Sequence, residues 1–328
     1  MSCGLACLTQ WNLLIFFLLS LPVYLSVLVV LVVKRKTELN SSFFHICISA
    51  ALADIASMVY ELSFRRLPAT LWRYVADSRH LIDTTWFQTL NKMNGWSWYY
   101  VQVFGIVLLC LNRLTATVYP MKYRSLWTPT VLRCAIGFQW FWLFPFSIPM
   151  LHPCCRSQLR NDVRLLARFQ DREVAAIYWT AMVILECFTL TPLLILAHLF
   201  MFCKEAIHAK LWHRKRSNGQ KSSSHGSKRR RDQQRDRKAE LRLAIIGIVL
   251  CPTYLYATIN YLYLYVTNDW WDGADGLSVL VAMALFTNLN PFLLIIFSSK
   301  FREAYLCFWF CRKVNRITPS DSKKQRKY

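Results

Sequence analysis

Acidic residues are scarce in this chain of 328: 18 Asp and Glu stand against 40 Lys and Arg. Charge of either sign is nearly missing from seven long apolar runs, in a sequence that is 55% hydrophobic and 15% aromatic. That segregation excludes a soluble globule with its charges spread evenly. The twelve cysteines are scattered and show no paired CxxC spacing, which excludes a disulfide scaffold and a zinc site of that kind. HExxH and paired-acid motifs are absent, and Asp54, Glu186 and His45 are too sparse for catalytic or metal spacing, so the chain is not read as an enzyme and no cofactor is implied. No internal repeat divides the chain into halves, as a transporter built from paired repeats would require.

The apolar runs are approximately 11–33, 43–62, 93–118, 131–150, 174–203, 243–266 and 277–297. Twenty such residues in a helix cross ~30 Å of hydrocarbon. Backbone groups in lipid must be paired within the segment, so each run is predicted to be helical, with prolines marking kinks. The runs do not alternate in polarity, which excludes a closed membrane barrel. The expected fold is an all-α membrane protein, a bundle of seven transmembrane helices. The first run is expected to be a retained anchor and not a secretory signal, because Lys34, Arg35 and Lys36 follow it and no small-residue cleavage site precedes them.

Lys and Arg set the orientation. With the amino terminus outside, the inner segments hold 3, 3, 14 and 9 of them, and the outer loops hold 5, 5 and none. Amino terminus out and carboxyl terminus cytoplasmic is therefore the expected arrangement in the cell membrane. The net charge of +22 then faces anionic headgroups and needs no nucleic acid. The basic loop 204–242 is read as a disordered cytoplasmic connector, and 313–328 as a cytoplasmic tail. Ser222, Ser223, Ser224 and Ser227 are either phosphorylation sites or a serine-rich linker. Cys3, Cys7, Cys154 and Cys155 fall on the oxidising side, where one bridge can form. Asn40 heads the only glycosylation sequon and falls inside in this topology.

One cation interrupts the third run near its inner end, in NRLTATVYPMKY. At headgroup level Arg113 can snorkel to water, so a simple anchor is one reading of it. The surrounding spacing offers another. Asn112 precedes Arg113, and Pro120 and Tyr123 follow it by seven and ten residues, which resembles the end of the third helix in rhodopsin-like G-protein-coupled receptors. Asp54 within SAALADIA, Trp140 followed by Pro145 and Pro149, Cys251 beside Pro252, and Asn290-Pro291 within NLNPF agree with that resemblance over residues 10–312. NSSFF, NR with its following Pro and Tyr, and NLNPF together look like the nematode serpentine chemoreceptors of the gamma and v classes.

The resemblance implies a chemosensory receptor for a small organic ligand that signals to a cytoplasmic heterotrimeric G protein. The alternative is a ligand-gated channel or transporter of inverted or different topology. Asp54, Asn112, Arg113, Pro120, Tyr123, Pro252, Asn290 and Pro291 become the signalling switch. In relatives Asp54 and Asn290 would face one another in a hydrated site that often holds sodium. Trp96, Tyr99, Tyr100 and Tyr254 fall where the family lines its ligand cavity, and an aromatic pocket suits a small organic molecule. Trp98 and Tyr261 read as interfacial belt residues. Glu186, the least expected charge in the chain, contacts ligand, pairs with His45 or a backbone group, or is satisfied as a neutral acid. The third helix has no acid in its pocket part and Ala284 stands where opsins carry lysine, which speaks against an amine or retinal.

After the seventh run, FREAYLCFWFCRK is predicted to lie on the inner leaflet as a short amphipathic helix, with Cys307 and Cys311 as lipidation candidates or buried thiols. Departures from the family pattern are several. The segment 63–92 has no cysteine, Leu294 stands where a tyrosine is usual, the sixth run lacks its tryptophan and the first lacks a central asparagine. Switching contacts rebuilt from other residues are expected. Asn112 is neutral and Glu240 lies too close to Pro252 to restrain Arg113, so basal activity is expected as well.

Overall fold

The computed structural model describes residues 3–66, 85–142, 144–145, 148, 155–160, 164–169, 172–217, 251–260, 262–263, 265–267 and 277–310. The first helix runs Cys3–Lys34 through Pro22. The second, Ser42–Tyr60, passes into a π-helical turn over Glu61–Arg66. The third runs Thr85–Val118 and the fourth Pro129–Phe141. The fifth is continuous from Arg172 to Ser217 with a π-helical segment, Ile184–Leu190, between its two α-helical parts. Residues 251–260 of the sixth are helical. The seventh is Leu277–Phe297, and a surface helix, Ser299–Phe310, follows it.

Among the described residues four of these helices are long and apolar enough to cross a membrane: Leu14–Lys34, Ser42–Ser63, Ser97–Val118 and Ala176–Lys204. Their polarity is turned outward-in. Ile177 is 71% exposed and Phe188 69%, whereas Asp54, Gln102, Asn112, Gln139, Glu186 and Asn288 are buried. That pattern suits lipid outside and polar contacts between helices, which is how helices associate where the solvent is itself apolar.

One departure from the sequence reading and one further element concern loops. The fifth helix does not stop near Cys203; it continues to Ser217. KEAIHAKLWHRKR is rich in strong helix formers, so the helix extends although its charges leave the apolar layer. The rest of the basic loop, including Glu240 and the serine cluster, lies outside the described residues, as do Cys311 and the tail. The stretch before the fifth helix is not featureless either. Cys155–Arg160 and Arg164–Phe169 pair as an antiparallel hairpin, with Cys155 opposite Phe169 and Arg160 opposite Arg164. It packs against the third helix and marks one end of the bundle.

Thr128 caps the fourth helix by accepting a hydrogen bond from the Val131 amide at 3.3 Å, and Pro129 takes its first turn, where no amide partner is needed. This helix is locked to the second and third by polar side chains. Ser49 Oγ donates to Gln139 Oε1 at 2.8 Å, Gln139 Nε2 donates to the Val101 carbonyl at 3.2 Å, and Trp140 Nε1 donates to Ser49 Oγ at 3.0 Å. Gly105 makes room for the arrangement, because a Cβ there would stand 2.9 Å from Gln139 Nε2. Gly105→Ala is expected to lower stability by about 1–3 kcal/mol, since the amide cannot withdraw without losing its partners. Thermal unfolding of the purified protein in detergent measures this, and an unchanged midpoint would refute the tight contact.

The surface helix is docked by Phe301 and Ala304, which are buried in one cluster with Val27, Leu31, Phe43 and Leu294. Leu294, standing where the family carries tyrosine, therefore packs as a core residue. Ser298 Oγ accepts from the Phe301 amide at the start of this helix, and Tyr305 OH lies 2.9 Å from Ser26 Oγ on the first helix.

Candidate functional site

Three groups of expected site residues are brought together at different depths of the bundle. The central one surrounds Asp54, which is buried in the second helix. Asp54 Oδ1 accepts from Gln102 Nε2 at 2.8 Å, and Oδ2 accepts from Asn290 Nδ2 at 3.0 Å, so the expected pairing across the bundle is present. Tyr24 was not anticipated. Its hydroxyl lies 2.7 Å from Asp54 Oδ2 and 2.5 Å from the Thr287 carbonyl, sharing one proton between two acceptors. Four helices thus meet at one carboxyl group. The first helix, which lacks the central asparagine, uses a tyrosine instead to reach the second and seventh.

The donor set around Asp54 does not fit a sodium ion. Its carboxyl oxygens already receive two amide N–H groups and a phenol, and Gln102 presents nitrogen where a hard cation needs oxygen. Among the described residues no cluster of His, Cys, Asp or Glu is arranged to hold a metal. Tyr24→Phe is expected to cost about 1–2 kcal/mol, because one buried hydrogen bond disappears while both acceptors stay in place. The readout is again the thermal midpoint, and equality with the parent protein would remove Tyr24 from the network.

A cavity leads from Asp54 and Asn290 past Cys47 and Pro291 to Arg113 and His198. At its far end the Arg113 guanidinium lies 3.5 Å from the centroid of the Phe43 ring. Asn112 is buried and donates to Ser42 Oγ at 3.2 Å, while Tyr123 OH donates to Asn112 Oδ1 at 3.1 Å and lies 2.7 Å from Ser42 Oγ. Asn112, Arg113 and Tyr123 are therefore assembled against the start of the second helix. Pro120, by contrast, is exposed in the turn between them. His45 bonds the Ser41 carbonyl at 2.9 Å at this same end and does not pair with Glu186. Lys204 Nζ donates to the Thr117 carbonyl, tying the fifth helix to the end of the third.

The third group lies toward the hairpin end. Glu186 sits in the π-helical segment of the fifth helix and is 2% exposed. Such a segment bulges the backbone by one residue and turns a chosen side chain inward. Its neighbours Ile184 and Phe188 face outward. Tyr99 interacts with the Glu186 carboxyl group, and Tyr254 lies within electrostatic reach of it. Tyr99, Tyr100 and Tyr254 are buried in one cluster with Met182 and Leu190, and the Tyr99 and Tyr100 rings meet edge to face at 5.4 Å. Trp96 belongs to the third helix, but its side chain lies outside the described ones. Trp98, expected in an interfacial belt, is half-buried with its ring edge-on to Trp140 at 6.1 Å, and Tyr261 lies outside the described residues. Pro252 is exposed on the sixth helix, and Pro291 is inside the seventh.

Tyr24, Gln102, Phe43 and the Ser49–Gln139 pair were missed from sequence. Gln102 and Gln139 carried a usable signal, being amides within apolar runs. Phe43 carried none, since one phenylalanine among many gives no hint that it will face a guanidinium.

Residues 13–311 match the family of serpentine type seven-transmembrane G-protein-coupled chemoreceptors of class v. The chain belongs to that family. It is 24% identical over 200 residues to serpentine receptor class V-1 of Caenorhabditis elegans, an alignment covering 58% of this chain and 61% of that protein. Squid rhodopsin has a similar structure, with a TM-score of 0.64 at 18% identity, covering all of this chain and 93% of the rhodopsin. The rhodopsin comparison establishes the seven-helix fold, and the family together with the apolar helices establishes a multi-pass membrane protein. Of the two chemoreceptor classes the sequence resembles, the match is to v.

Proposed function

We propose that this serpentine receptor binds a small organic ligand at the hairpin end of the bundle, beside Tyr99, Tyr100, Glu186 and Tyr254, with Trp96 of the third helix as a further ligand-binding residue, and activates a heterotrimeric G protein at the Arg113 end. The observation that carries the proposal is the polar core between those ends. Asp54 holds the first, second, third and seventh helices through single hydrogen bonds, and a cavity runs from it to Arg113. A ligand that prefers one packing of these helices shifts the population toward it. Arg113, held on Phe43 in this arrangement, is released when the helices part. Asp54, Asn112, Arg113, Tyr123, Asn290 and Pro291 carry that switch, with Pro120 and Pro252 fixing the backbone around it.

The Arg113 end faces the cytoplasm in this reading, and Cys307 and Cys311 on and after the surface helix are lipidation sites. Cys307 is half-buried on a helix whose Trp309 and Phe310 are exposed, as a segment lying on lipid needs. Asn40 tests the orientation. It is exposed in the turn between the first and second helices, at the Arg113 end. With a carboxyl-terminal epitope, an unglycosylated Asn40 and staining only of permeabilised cells are expected. A glycan on Asn40 with an exposed epitope would invert the bundle and remove the G-protein reading.

A further inference from the structure

Glu186 is a carboxyl group in the interior of a membrane bundle, and its Oε1 has no hydrogen-bond partner among the described residues. No cation among the described residues stands beside it; its neighbours are Tyr99, Tyr254 and Cys187. Asp54, the other buried acid, differs in having three donors from other helices. An ionised carboxylate buried without a counter-charge is costly, so the group with most to gain from this place is a cation delivered from outside. The tyrosines add a second element of cation recognition, because an aromatic face attracts an ammonium group. The π-helical segment that turns Glu186 inward is a local irregularity found disproportionately at functional sites.

We propose that Glu186 is the counter-charge for a small organic cation, a protonated or quaternary amine, bound among Tyr99 and Tyr254. This rests on the reading of the hairpin end as the ligand site, and it names the class of ligand. The sequence speaks against an amine because the third helix carries no acid in its pocket part. The fifth helix supplies one from the opposite wall, facing a third-helix tyrosine. A neutral alcohol gains one ordinary hydrogen bond at Oε1, whereas a protonated amine gains that bond, the charge pairing and the aromatic contact, and a quaternary amine, which has no N–H to donate, gains the charge pairing and the aromatic contact.

The test uses the full-length purified receptor and pairs of probes that differ only in charge: choline against its carbon isostere dimethylbutanol, and phenethylamine against phenylethanol. Thermal midpoints and binding isotherms are measured for each. The cationic member of each pair is expected to raise the midpoint and bind at least about tenfold more tightly than its neutral twin. Glu186→Gln is expected to erase that preference and Glu186→Asp to keep part of it. Equal shifts from charged and neutral twins, no shift from either cation, or an undiminished preference in Glu186→Gln would each overturn the proposal. The comparison of twins on the parent protein decides even if the variants fold poorly. Ligand-independent nucleotide exchange on a Gα subunit by the parent protein reports separately on the receptor reading, so the two can fail independently.

Discussion

Asp54→Leu is expected to abolish signalling and most surface expression. The substitution strips the shared acceptor from Tyr24, Gln102 and Asn290 at once; Tyr24 and Gln102 keep their contacts to Thr287, while Asn290 loses its carboxylate partner, a loss of about 1–3 kcal/mol. With two further hydrogen bonds removed and an apolar side chain set among these polar groups, the change takes a large fraction of the stability of an ordinary domain, about 5–15 kcal/mol. Asp54→Asn keeps one carbonyl acceptor and is expected to reach the surface with altered signalling. Val59→Ala on the same helix is the control, because Val59 is 47% exposed toward lipid. Surface staining and nucleotide exchange, normalised to protein, measure all three. Equal behaviour of Asp54→Leu and Val59→Ala would show that no polar core holds the helices.

The second large effect concerns Arg113. Relatives restrain this arginine with acids that the chain lacks, and from sequence alone it looks loosely held. In the structure the guanidinium lies against the Phe43 ring, an attraction worth about 0.5–2 kcal/mol depending on how far the pair is shielded from water. Phe43→Leu keeps the apolar packing of the surface helix and removes the aromatic face. Basal nucleotide exchange at matched surface expression is expected to rise, with the resting-to-active ratio falling roughly 2- to 30-fold, the range corresponding to that energy. Unchanged or lowered basal exchange would mean that Phe43 does not hold the resting state. The neighbouring Ser42–Asn112–Tyr123 contacts make the same joint, so Tyr123→Phe should change basal exchange in the same direction and by less.

Apolar run length and the positions of charges made the helices legible, because those features reflect the bilayer as solvent and act on each segment alone. The boundaries of the seventh helix agree with the run 277–297. The fifth overshoots its run because helix propensity continues where hydropathy stops. The pairing of Asp54 with Asn290 was accessible through motifs. Tyr24 and Phe43 were not, since their roles depend on which residue of another helix lies opposite, and apolar periodicity carries no such register. Glu186 was visible as an anomaly, but its π-helical setting and its tyrosine neighbours required the fold.

Nucleotide exchange on a purified heterotrimeric G protein by the reconstituted receptor, with Arg113→Ala and Phe43→Leu run beside it, bears most directly on the central claim. The account predicts exchange above the G protein's own rate, loss of it in Arg113→Ala and an increase in Phe43→Leu. Exchange that never exceeds the G protein alone, in any of the three and across a panel of Gα classes, would contradict the claim that the Arg113 end is a G-protein switch.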